Sequence, residues 1–308
     1  MCPEADIVDI VLSSGHRVTG YRYGEGAETV MLANGGPGLP SLYLRAPHAR
    51  LVDAGFRVVT WDQLGCGASD RPTDPALWTL DRYVAEADEV RAAFGIDRVH
   101  FLGHSWGTWL GTEYALTHPD HVASLILADG ACDIPHLVEE LKRLKLGLGV
   151  ETVTMMAAHE AAGTMDHPEY QAAITILNYR HVCRLKTWPE PLSTALADWN
   201  TGPYHTMQGP NEFTFTGNMT DWNRIPAMGR IAAPALVLTG VHDELTPACS
   251  ERMHRALPDS RIHVFPNSSH MPFYEEPEAY FAVLVDFLTS VGREADRAPA
   301  KTDFICND

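Results

Sequence analysis

The pentapeptide at residues 103–107, Gly-His-Ser-Trp-Gly, constrains the fold of this chain more than any other feature of its sequence. It directly follows the apolar residues 99–102, which are typical of a buried strand, and it directly precedes residues 108–117, which are typical of a helix. In a tight strand-to-helix turn the two backbones approach closely, so the positions beside the corner need small residues. The corner residue, Ser105, is then presented at the carboxyl end of a parallel strand. We therefore expect Ser105 to be a nucleophile.

Short strand-like runs alternate with helical segments along most of the chain. This alternation predicts an α/β fold with a mostly parallel, doubly wound sheet, and the first two runs, joined around residues 13–15, predict an antiparallel hairpin at its edge. The predicted strands are residues 7–12, 16–23, 29–32, 56–61, 99–102, 124–128, 235–239 and 262–265, and the predicted helices are residues 41–54, 80–94, 108–117, 247–257 and 277–290.

The rhythm of strands and helices is interrupted between residues 131 and 230. This stretch is helical and amphipathic, is punctuated by prolines, and contains only one short strand-like run, at residues 212–216. We therefore predict a core formed by residues 1–130 and 231–308, with residues 131–230 inserted as a helical cap domain.

Composition excludes some classes of partner. The chain carries a net charge of −17, which argues against binding to nucleic acid or to an anionic membrane. Its six cysteines are scattered without metal-like spacing, which is typical of free thiols in a reducing compartment. The amino terminus has no secretory pattern, and no apolar run reaches the roughly 18 residues that a membrane span needs. These features predict a cytoplasmic protein without a metal site.

A serine nucleophile needs a histidine to take its proton and an acid to orient that histidine. Asp243 follows the predicted strand 235–239, and His270 follows the predicted strand 262–265. Both would therefore lie at the carboxyl edge of the sheet, where Ser105 is expected. Of the 15 histidines in the chain, His270 has the loop position that the base requires.

An acyl-transfer site also needs two N–H groups that point at the oxygen of the reacting carbonyl. One should come from Trp106, the residue after the nucleophile. The other should come from the glycine-rich loop at residues 34–38, Asn-Gly-Gly-Pro-Gly, because glycines allow the backbone to approach the substrate. Within that loop Gly36 is the first choice, and Gly35 is the alternative.

Together these segments resemble the proline iminopeptidase branch of the α/β-hydrolases, which includes tricorn-interacting aminopeptidases and L-amino acid amidases. The resemblance covers essentially the whole chain and is specific in the cap, which lies outside the motifs common to all α/β-hydrolases. The segments that carry it are residues 34–38, 62–69, 103–107 and 240–247 in the core, and residues 180–184 and 204–213 in the cap.

The resemblance implies an α/β-hydrolase fold and a substrate with a free amino terminus, either an amino acid amide or a short peptide. In the related enzymes two glutamates hold the amino group of the substrate, and they correspond to Glu212 and Glu244. The chain departs from the family pattern at Asn34, where a histidine is usual, and at His104, where glycine or glutamine is common. Neither departure removes a catalytic group, but both concern the substrate preference.

Two other functions are compatible with the same motifs. An esterase, a lactonase or an acyl-transferring enzyme of a small-molecule pathway would use the same triad. A receptor that keeps the fold without turnover is disfavoured by the complete triad and the glycine loop. Epoxide hydrolases and haloalkane dehalogenases are disfavoured because their nucleophile is an aspartate, whereas this chain has Ser105. No cofactor is implied.

Overall fold

A computed structural model describes residues 4–297 of the chain. Within these residues a single eight-stranded sheet runs through the protein. Its strands, in chain order, are β1 (Asp6–Val11), β2 (Arg17–Tyr23), β3 (Thr29–Ala33), β4 (Arg57–Asp62), β5 (Val99–His104), β6 (Val122–Ala128), β7 (Ala235–Gly240) and β8 (Ser260–Phe265).

The order of the strands across the sheet is β1-β2-β4-β3-β5-β6-β7-β8. All pairings from β4 to β8 are parallel, whereas β1 and β2 form an antiparallel hairpin and β2 also pairs antiparallel with β4. The predicted fold class is therefore confirmed, and the hairpin lies at the edge. Because the parallel strands point the same way, the loops that follow β3, β5, β6, β7 and β8 meet at one edge of the sheet.

Helices cover both faces of the sheet. They are α1 (Leu42–His48), α2 (Leu80–Ala93), α3 (Trp106–Thr117), α4 (Ile134–Leu146), α5 (Val150–Ala162), α6 (Pro168–Leu177), α7 (Glu190–Ala197), α8 (Thr201–Met207), α9 (Pro247–Ala256), α10 (Pro272–Glu275) and α11 (Pro277–Arg297). Apolar side chains of α2, α3 and α9 pack on one face, and those of α1 and α11 pack on the other.

Strand β6 shows why the central strands are apolar throughout. Leu125 and Leu127 belong to the hydrophobic core on one face of the sheet, whereas Ile126 and Ala128 belong to the core on the other. Successive side chains of a strand point to opposite faces, so a strand that is covered on both faces needs an apolar residue at every position.

Between β6 and β7 the described chain contributes no strand to the sheet and forms α4 to α8, with a π-helical turn at Asn178–Val182. The strand-like run at residues 212–216 does not form a strand. Asn211 and Thr214 form only an isolated bridge, and the Phe213 N–H donates to Asn211 Oδ1 at 2.9 Å. This local turn satisfies the backbone without a neighbouring strand. The boundaries proposed for the cap domain stay a prediction.

The helix predicted over residues 41–54 is partly wrong. The α-helix α1 ends at His48, and Ala49–Ala54 continues as a 3-10 helix that ends at Gly55 with φ of 89°. Pro47 lies inside α1 and has no N–H to donate, which weakens the α-helical hydrogen bonding at this point.

Four cysteines fall among the described residues, namely Cys66, Cys132, Cys183 and Cys249, and all four are free and buried. The predictions for Cys2 and Cys306 concern positions outside the described residues. Within residues 4–297, no helix combines the length and the apolar character that crossing a bilayer would require.

The turn between β5 and α3 depends on close backbone packing. A Cβ atom on Gly107 would lie 3.2 Å from the carbonyl oxygen of Asn34 and still closer to that of Ala33. A Cβ atom on Gly103 would collide with the carbonyl of Gly107. These contacts involve backbone atoms, which cannot turn away as a flexible side chain can. Glycine is therefore required on both sides of the turn.

Replacement of Gly107 by alanine tests this requirement. We expect Gly107→Ala to lower the free energy of unfolding by about 3 kcal/mol, because the added methyl group forces the β3 and α3 backbones apart. Gly229→Ala is the matched control, since a Cβ at Gly229 would meet no atom within 4 Å. Thermal and chemical unfolding should show little change in the control, and equal stability of the two variants would contradict the packing argument.

Candidate active site

The nucleophile candidate occupies a strained position. Ser105 lies between β5 and α3 with φ of 57° and ψ of −123°, a conformation that residues with a side chain rarely adopt. Its N–H donates to the carbonyl of Ala128 at 3.0 Å, and its own carbonyl accepts from the N–H of Thr108 at 2.8 Å. Neighbouring backbone on two sides therefore holds Ser105 in this conformation.

The hydroxyl of Ser105 is available for chemistry. Within the described part of the chain Ser105 Oγ has no hydrogen-bond partner, and the residue is half-buried. A Cβ atom placed on Gly35 would lie 3.4 Å from Ser105 Oγ and 3.0 Å from Ser105 Cβ. The glycine loop thus passes directly over the nucleophile, as expected for a loop that contacts the reacting carbonyl.

The structure brings the predicted acid and base together. Asp243 follows β7, His270 follows β8, and His270 Nδ1 lies 2.8 Å from Asp243 Oδ1 in a buried contact. Asp243 Oδ1 also accepts the N–H of Leu245 at 2.9 Å, which fixes the carboxylate. An ionised carboxylate accepts but cannot donate, so Nδ1 carries a proton and Nε2 is left to act on a nucleophile.

The hydrogen bonds of the glycine loop distinguish its two candidate donors. The Gly35 N–H donates to the hydroxyl of Tyr43 at 2.7 Å, so this group is occupied. Among the described residues, the N–H groups of Gly36 and Trp106 have no partner. These two remain free to donate to a substrate oxygen. Asn34 braces the loop, because its Nδ2 donates to the carbonyl of Leu39 at 2.6 Å.

Glu244 is the most unusual charged group at the site. Its side chain is fully buried, and neither carboxylate oxygen has a hydrogen-bond partner within the described residues. Oε1 lies 3.6 Å from His270 Nε2. Burial raises the pKa of Glu244 well above its usual range, opposed by the charge of His270 and reinforced by those of Asp243 and Glu212. A buried carboxylate without donors lacks a partner that a cation could supply.

Glu212 lies in the same charge cluster. It is half-buried, and its Oε2 accepts from Gln208 Nε2 at 2.9 Å. Burial raises the pKa of Glu212, while the hydrogen bond from Gln208 and the charge of His270 oppose that rise. Glu244 therefore lies next to His270, whereas Glu212, from a different part of the chain, acts on His270 through its charge.

The carboxyl groups of Glu244, Asp243 and Glu212 also change the pKa of His270. Burial alone would lower the pKa of His270, but the negative charges of Glu244, Asp243 and Glu212 outweigh burial and raise the pKa to about 10. In the ligand-free enzyme the imidazole is therefore held in its cationic form at neutral pH. A base in this state cannot accept the proton of Ser105 until part of the negative charge is neutralised.

Sequence reasoning missed a hydrogen-bonded chain through His104 and Tyr43. His104 Nε2 lies 2.9 Å from the carbonyl of His270, and a carbonyl only accepts, so Nε2 carries the proton. Burial, with the charge of His270, lowers the pKa of His104 well below its usual value, so the ring is neutral and Nδ1 accepts from Tyr43 OH at 2.8 Å. The Tyr43 oxygen accepts from Gly35 in turn.

This chain of hydrogen bonds connects the glycine loop to the backbone of His270. The sequence signal for it was the position of His104 directly before the nucleophile, together with its departure from the family pattern. Nothing in the sequence indicated Tyr43, which lies on α1 and reaches the site only through the packing of that helix.

Asp129 is a second residue that the sequence analysis did not single out. It directly follows β6, has φ of 53°, and is fully buried. Burial and the charge of Asp243 raise the pKa of Asp129 well above its usual range, which favours its neutral form. Asp129 therefore need not add another negative charge beside the triad acid. Its position after a parallel strand was the signal that could have identified it.

Two groups of side chains among residues 4–297 have the donors and spacing to hold a metal ion. One is Asp243, Glu244 and His270, which includes the predicted acid and base. The other is His159, His167 and Glu169, between α5 and α6 of the cap. The hydrogen bond between His270 and Asp243 explains why the residues of the first group lie close together. Neither group acts as a metal site in the serine hydrolase reaction that the site could support.

Comparison with known proteins identifies the fold and the family of the chain. A family model for the α/β hydrolase fold matches residues 28–277. A proline iminopeptidase from Heyndrickxia coagulans is 39% identical over 281 residues, which cover 90% of this chain and 97% of the relative. The crystal structure of a proline iminopeptidase from Mycobacterium smegmatis is 34% identical, with a TM-score of 0.87, and the match covers 94% of this chain and 100% of that one.

A further solved structure, that of VinJ, is 33% identical with a TM-score of 0.89, and the match covers 94% of this chain and 99% of that one. Fold and site together define an α/β hydrolase. The chain belongs to the proline iminopeptidase family of these hydrolases, as the resemblance in its motifs indicated. It is an enzyme of the aminopeptidase type.

Titration of His270 tests the electrostatics of the site. We expect its imidazole in the ligand-free enzyme to titrate near pH 10, and Glu244→Gln to lower this pKa because one carboxylate charge is removed. The measurement is NMR of the histidine ring against pH. Glu251→Gln, which changes an exposed carboxylate on α9, is the control. A wild-type pKa near 6.5, or no shift in Glu244→Gln, would contradict the assignment.

Removal of one hydroxyl tests the hydrogen-bonded chain. Tyr43→Phe leaves Gly35 N–H and His104 Nδ1 without partners, so we expect a loss of about 1–3 kcal/mol in stability and at least about a tenfold fall in kcat. Tyr280→Phe is the matched control, because the buried Tyr280 hydroxyl bonds His48 Nε2 at 2.9 Å, away from the glycine loop. The control should lose stability but keep kcat, and an equal fall in kcat would show that Tyr43 acts only structurally.

Proposed function

We propose that this enzyme cleaves the amide or peptide bond that follows an amino-terminal residue with a free amino group. Ser105 is the nucleophile, His270 the base and Asp243 the acid that orients it. The N–H groups of Gly36 and Trp106 form the oxyanion hole. The substrate is an amino acid amide or a short peptide, and its relatives named proline iminopeptidase support proline as the first residue to test.

The observation that carries this proposal is the buried carboxyl group of Glu244, which accepts no hydrogen bond from the described residues and lies 3.6 Å from His270 Nε2. Glu244, Glu212 and Asp243 together form a cluster of three carboxyl groups that acts on one histidine, and burial raises the pKa of both glutamates. An ammonium group supplies both the missing positive charge and the missing hydrogen-bond donors. An uncharged ligand would bring no positive charge to this cluster.

The reaction then proceeds in two halves. His270 Nε2 takes the proton of Ser105 while Oγ attacks the carbonyl carbon, and the resulting oxyanion accepts hydrogen bonds from Gly36 and Trp106. The C–N bond breaks as His270 returns the proton to the leaving nitrogen, which departs as ammonia, an amine or a peptide. Water attacks the acyl-enzyme with His270 again as base, and Ser105 is released with the free amino acid.

The same charges couple substrate binding to activation of the base. An ammonium group at Glu212 and Glu244 neutralises the carboxylates that hold His270 in its cationic form. The pKa of His270 therefore falls when the correct substrate binds, and the imidazole becomes able to accept a proton. A substrate without the amine would bind beside a base that stays protonated.

An esterase, a lactonase or an acyl-transferring enzyme would use the same triad and the same oxyanion hole. Such substrates need no ammonium, so that function leaves the buried Glu244 without a role. A receptor without turnover would have no need for a serine held at φ of 57°. A substrate with a free amine explains both the buried Glu244 and the strained Ser105, whereas each alternative leaves one of these features without a role.

The decisive experiment compares substrates with and without the amine. We expect L-prolinamide and proline para-nitroanilide to be hydrolysed and the N-acetylated amide to be resistant. Glu212→Gln and Glu244→Gln should each lower kcat/KM by roughly 10- to 150-fold, equivalent to about 1.5–3 kcal/mol of lost charged hydrogen bonding. Para-nitrophenyl acetate has no amine and should lose far less in the same variants.

Two controls make this experiment interpretable. Ser105→Ala should abolish turnover of every substrate, because the triad acts as a unit. Glu251→Gln changes an exposed glutamate on α9 and should leave all rates unchanged. Efficient cleavage of the N-acetylated amide by the wild-type enzyme, or equal losses on the amide and the acetate ester in the glutamate variants, would refute ammonium recognition.

A further inference from the structure

Two histidines and a glutamate converge at the turn between α5 and α6. They are His159, in the last turn of α5, His167, at the start of α6, and Glu169, in the first turn of α6. His159 Nε2 lies 2.9 Å from Glu169 Oε1, and His167 Nδ1 lies 3.6 Å from the same oxygen. One ligand atom from each residue lies within 4.8 Å of the other two. We call these three residues the α5–α6 cluster.

The spacing of these atoms is close to the spacing that a transition-metal ion requires. Imidazole nitrogens and carboxylate oxygens bind Zn²⁺ at about 2.0–2.2 Å, so neighbouring ligands of a tetrahedral ion lie about 3.3 Å apart. The two distances to Glu169 Oε1, 2.9 and 3.6 Å, lie on either side of that value. Small rotations of the side chains would therefore bring all three ligand atoms to coordination distance.

The hydrogen bonds of the two rings leave nitrogen lone pairs for an ion. The N–H of Glu169 donates to His167 Nδ1 at 3.4 Å, so Nδ1 is the unprotonated nitrogen of that ring. This hydrogen bond is long, and an ion could replace it at small cost. His159 Nδ1 lies 2.7 Å from the hydroxyl of Thr164, which can accept the ring proton and leave His159 Nε2 as a ligand.

The helices that carry the ligands are fixed to each other without an ion. Glu160 is adjacent to His159, Tyr170 is adjacent to Glu169, and the buried hydroxyl of Tyr170 donates to Glu160 Oε1 at 3.1 Å. Lys145 of α4 donates to the same oxygen at 2.8 Å. Because these contacts hold α5 against α6, the ligands are already assembled, as a metal site on a rigid scaffold requires.

Solvent can reach the cluster. The side chains of His167 and Glu169 are 50% and 57% exposed, whereas that of His159 is 15% exposed. An ion could therefore enter, and water could fill the coordination positions that the protein leaves open. An ion pair between protonated His159 and Glu169 is the alternative explanation. It accounts for the first of the two distances but not for the second, because His167 Nδ1 accepts a hydrogen bond and has no proton to donate.

We propose that the α5–α6 cluster binds one divalent transition-metal ion of the zinc class through His159, His167 and Glu169. Imidazole ligands favour Zn²⁺, Ni²⁺ and Cu²⁺ over Mg²⁺ and Ca²⁺, which prefer oxygen ligands. The sequence predicted no metal site because its cysteines are scattered, whereas the ligands here are histidines and a carboxylate that a helix–turn–helix brings together.

The ion would join two helices and would contact none of the proposed catalytic residues. We therefore expect it to stabilise the fold and to take no part in the reaction, so this inference is independent of the proposed function. An ion that binds only the folded chain stabilises it by mass action.

Calorimetric titration of the untagged protein with zinc chloride tests the proposal. We expect one ion per chain, which an excess of Mg²⁺ or Ca²⁺ does not displace. His159→Ala and His167→Ala should each weaken binding at least about tenfold, since a ligand contributes no less than the groups that orient it. In thermal unfolding, zinc at roughly 100 times its Kd should raise the midpoint of the wild-type protein by about 4 °C and leave that of both variants unchanged.

Two control variants locate the ion. His205→Ala removes an exposed histidine of α8 and should keep full binding. Glu244→Gln changes the second group of possible ligands, at the active site, and should also keep it. No zinc binding by the wild-type protein would leave the cluster as an ion pair and overturn the proposal. Equal binding by the His159 and His167 variants, loss of binding only in Glu244→Gln, or equal displacement by Mg²⁺ would overturn it as well.

Discussion

The close contact between the β5–α3 turn and the end of β3 is the constraint on which the rest of the site depends. Gly107 packs against the backbone of Ala33 and Asn34, and this contact brings the glycine loop over the nucleophile. Ser105 consequently adopts φ of 57°, at the edge where the loops after β7 and β8 also end.

The charges that act on His270 are the second feature that organises the site. The charges of three carboxyl groups act on one buried histidine, and Glu244 accepts no hydrogen bond from the described residues, so the ligand-free site lacks a donor that a cation could supply. A substrate ammonium would complete it and at the same time release the base, which makes recognition and activation one event. This arrangement explains how a triad that is common to many hydrolases can be restricted to substrates with a free amine, without any change in the triad itself.

Much of this could be predicted from local patterns. The apolar strands, the glycines beside Ser105 and the loop positions of Asp243 and His270 follow from periodicity and from turn chemistry, which depend on neighbours in sequence. The errors also have local causes. Pro47 weakened a helix that its flanking residues favoured, and residues 212–216 had strand-like composition but no partner strand.

The sequence by itself determined the fold class, the catalytic residues expected at the sheet edge and, through family resemblance, the two glutamates. Only the tertiary structure decided that the N–H of Gly35 donates to the hydroxyl of Tyr43, which leaves the N–H of Gly36 for the substrate. It also decided that Glu244 is buried without a hydrogen-bond donor among the described residues. The reason is physical: hydrogen-bond satisfaction and pKa depend on distance and burial, and both are set by residues that are remote along the chain.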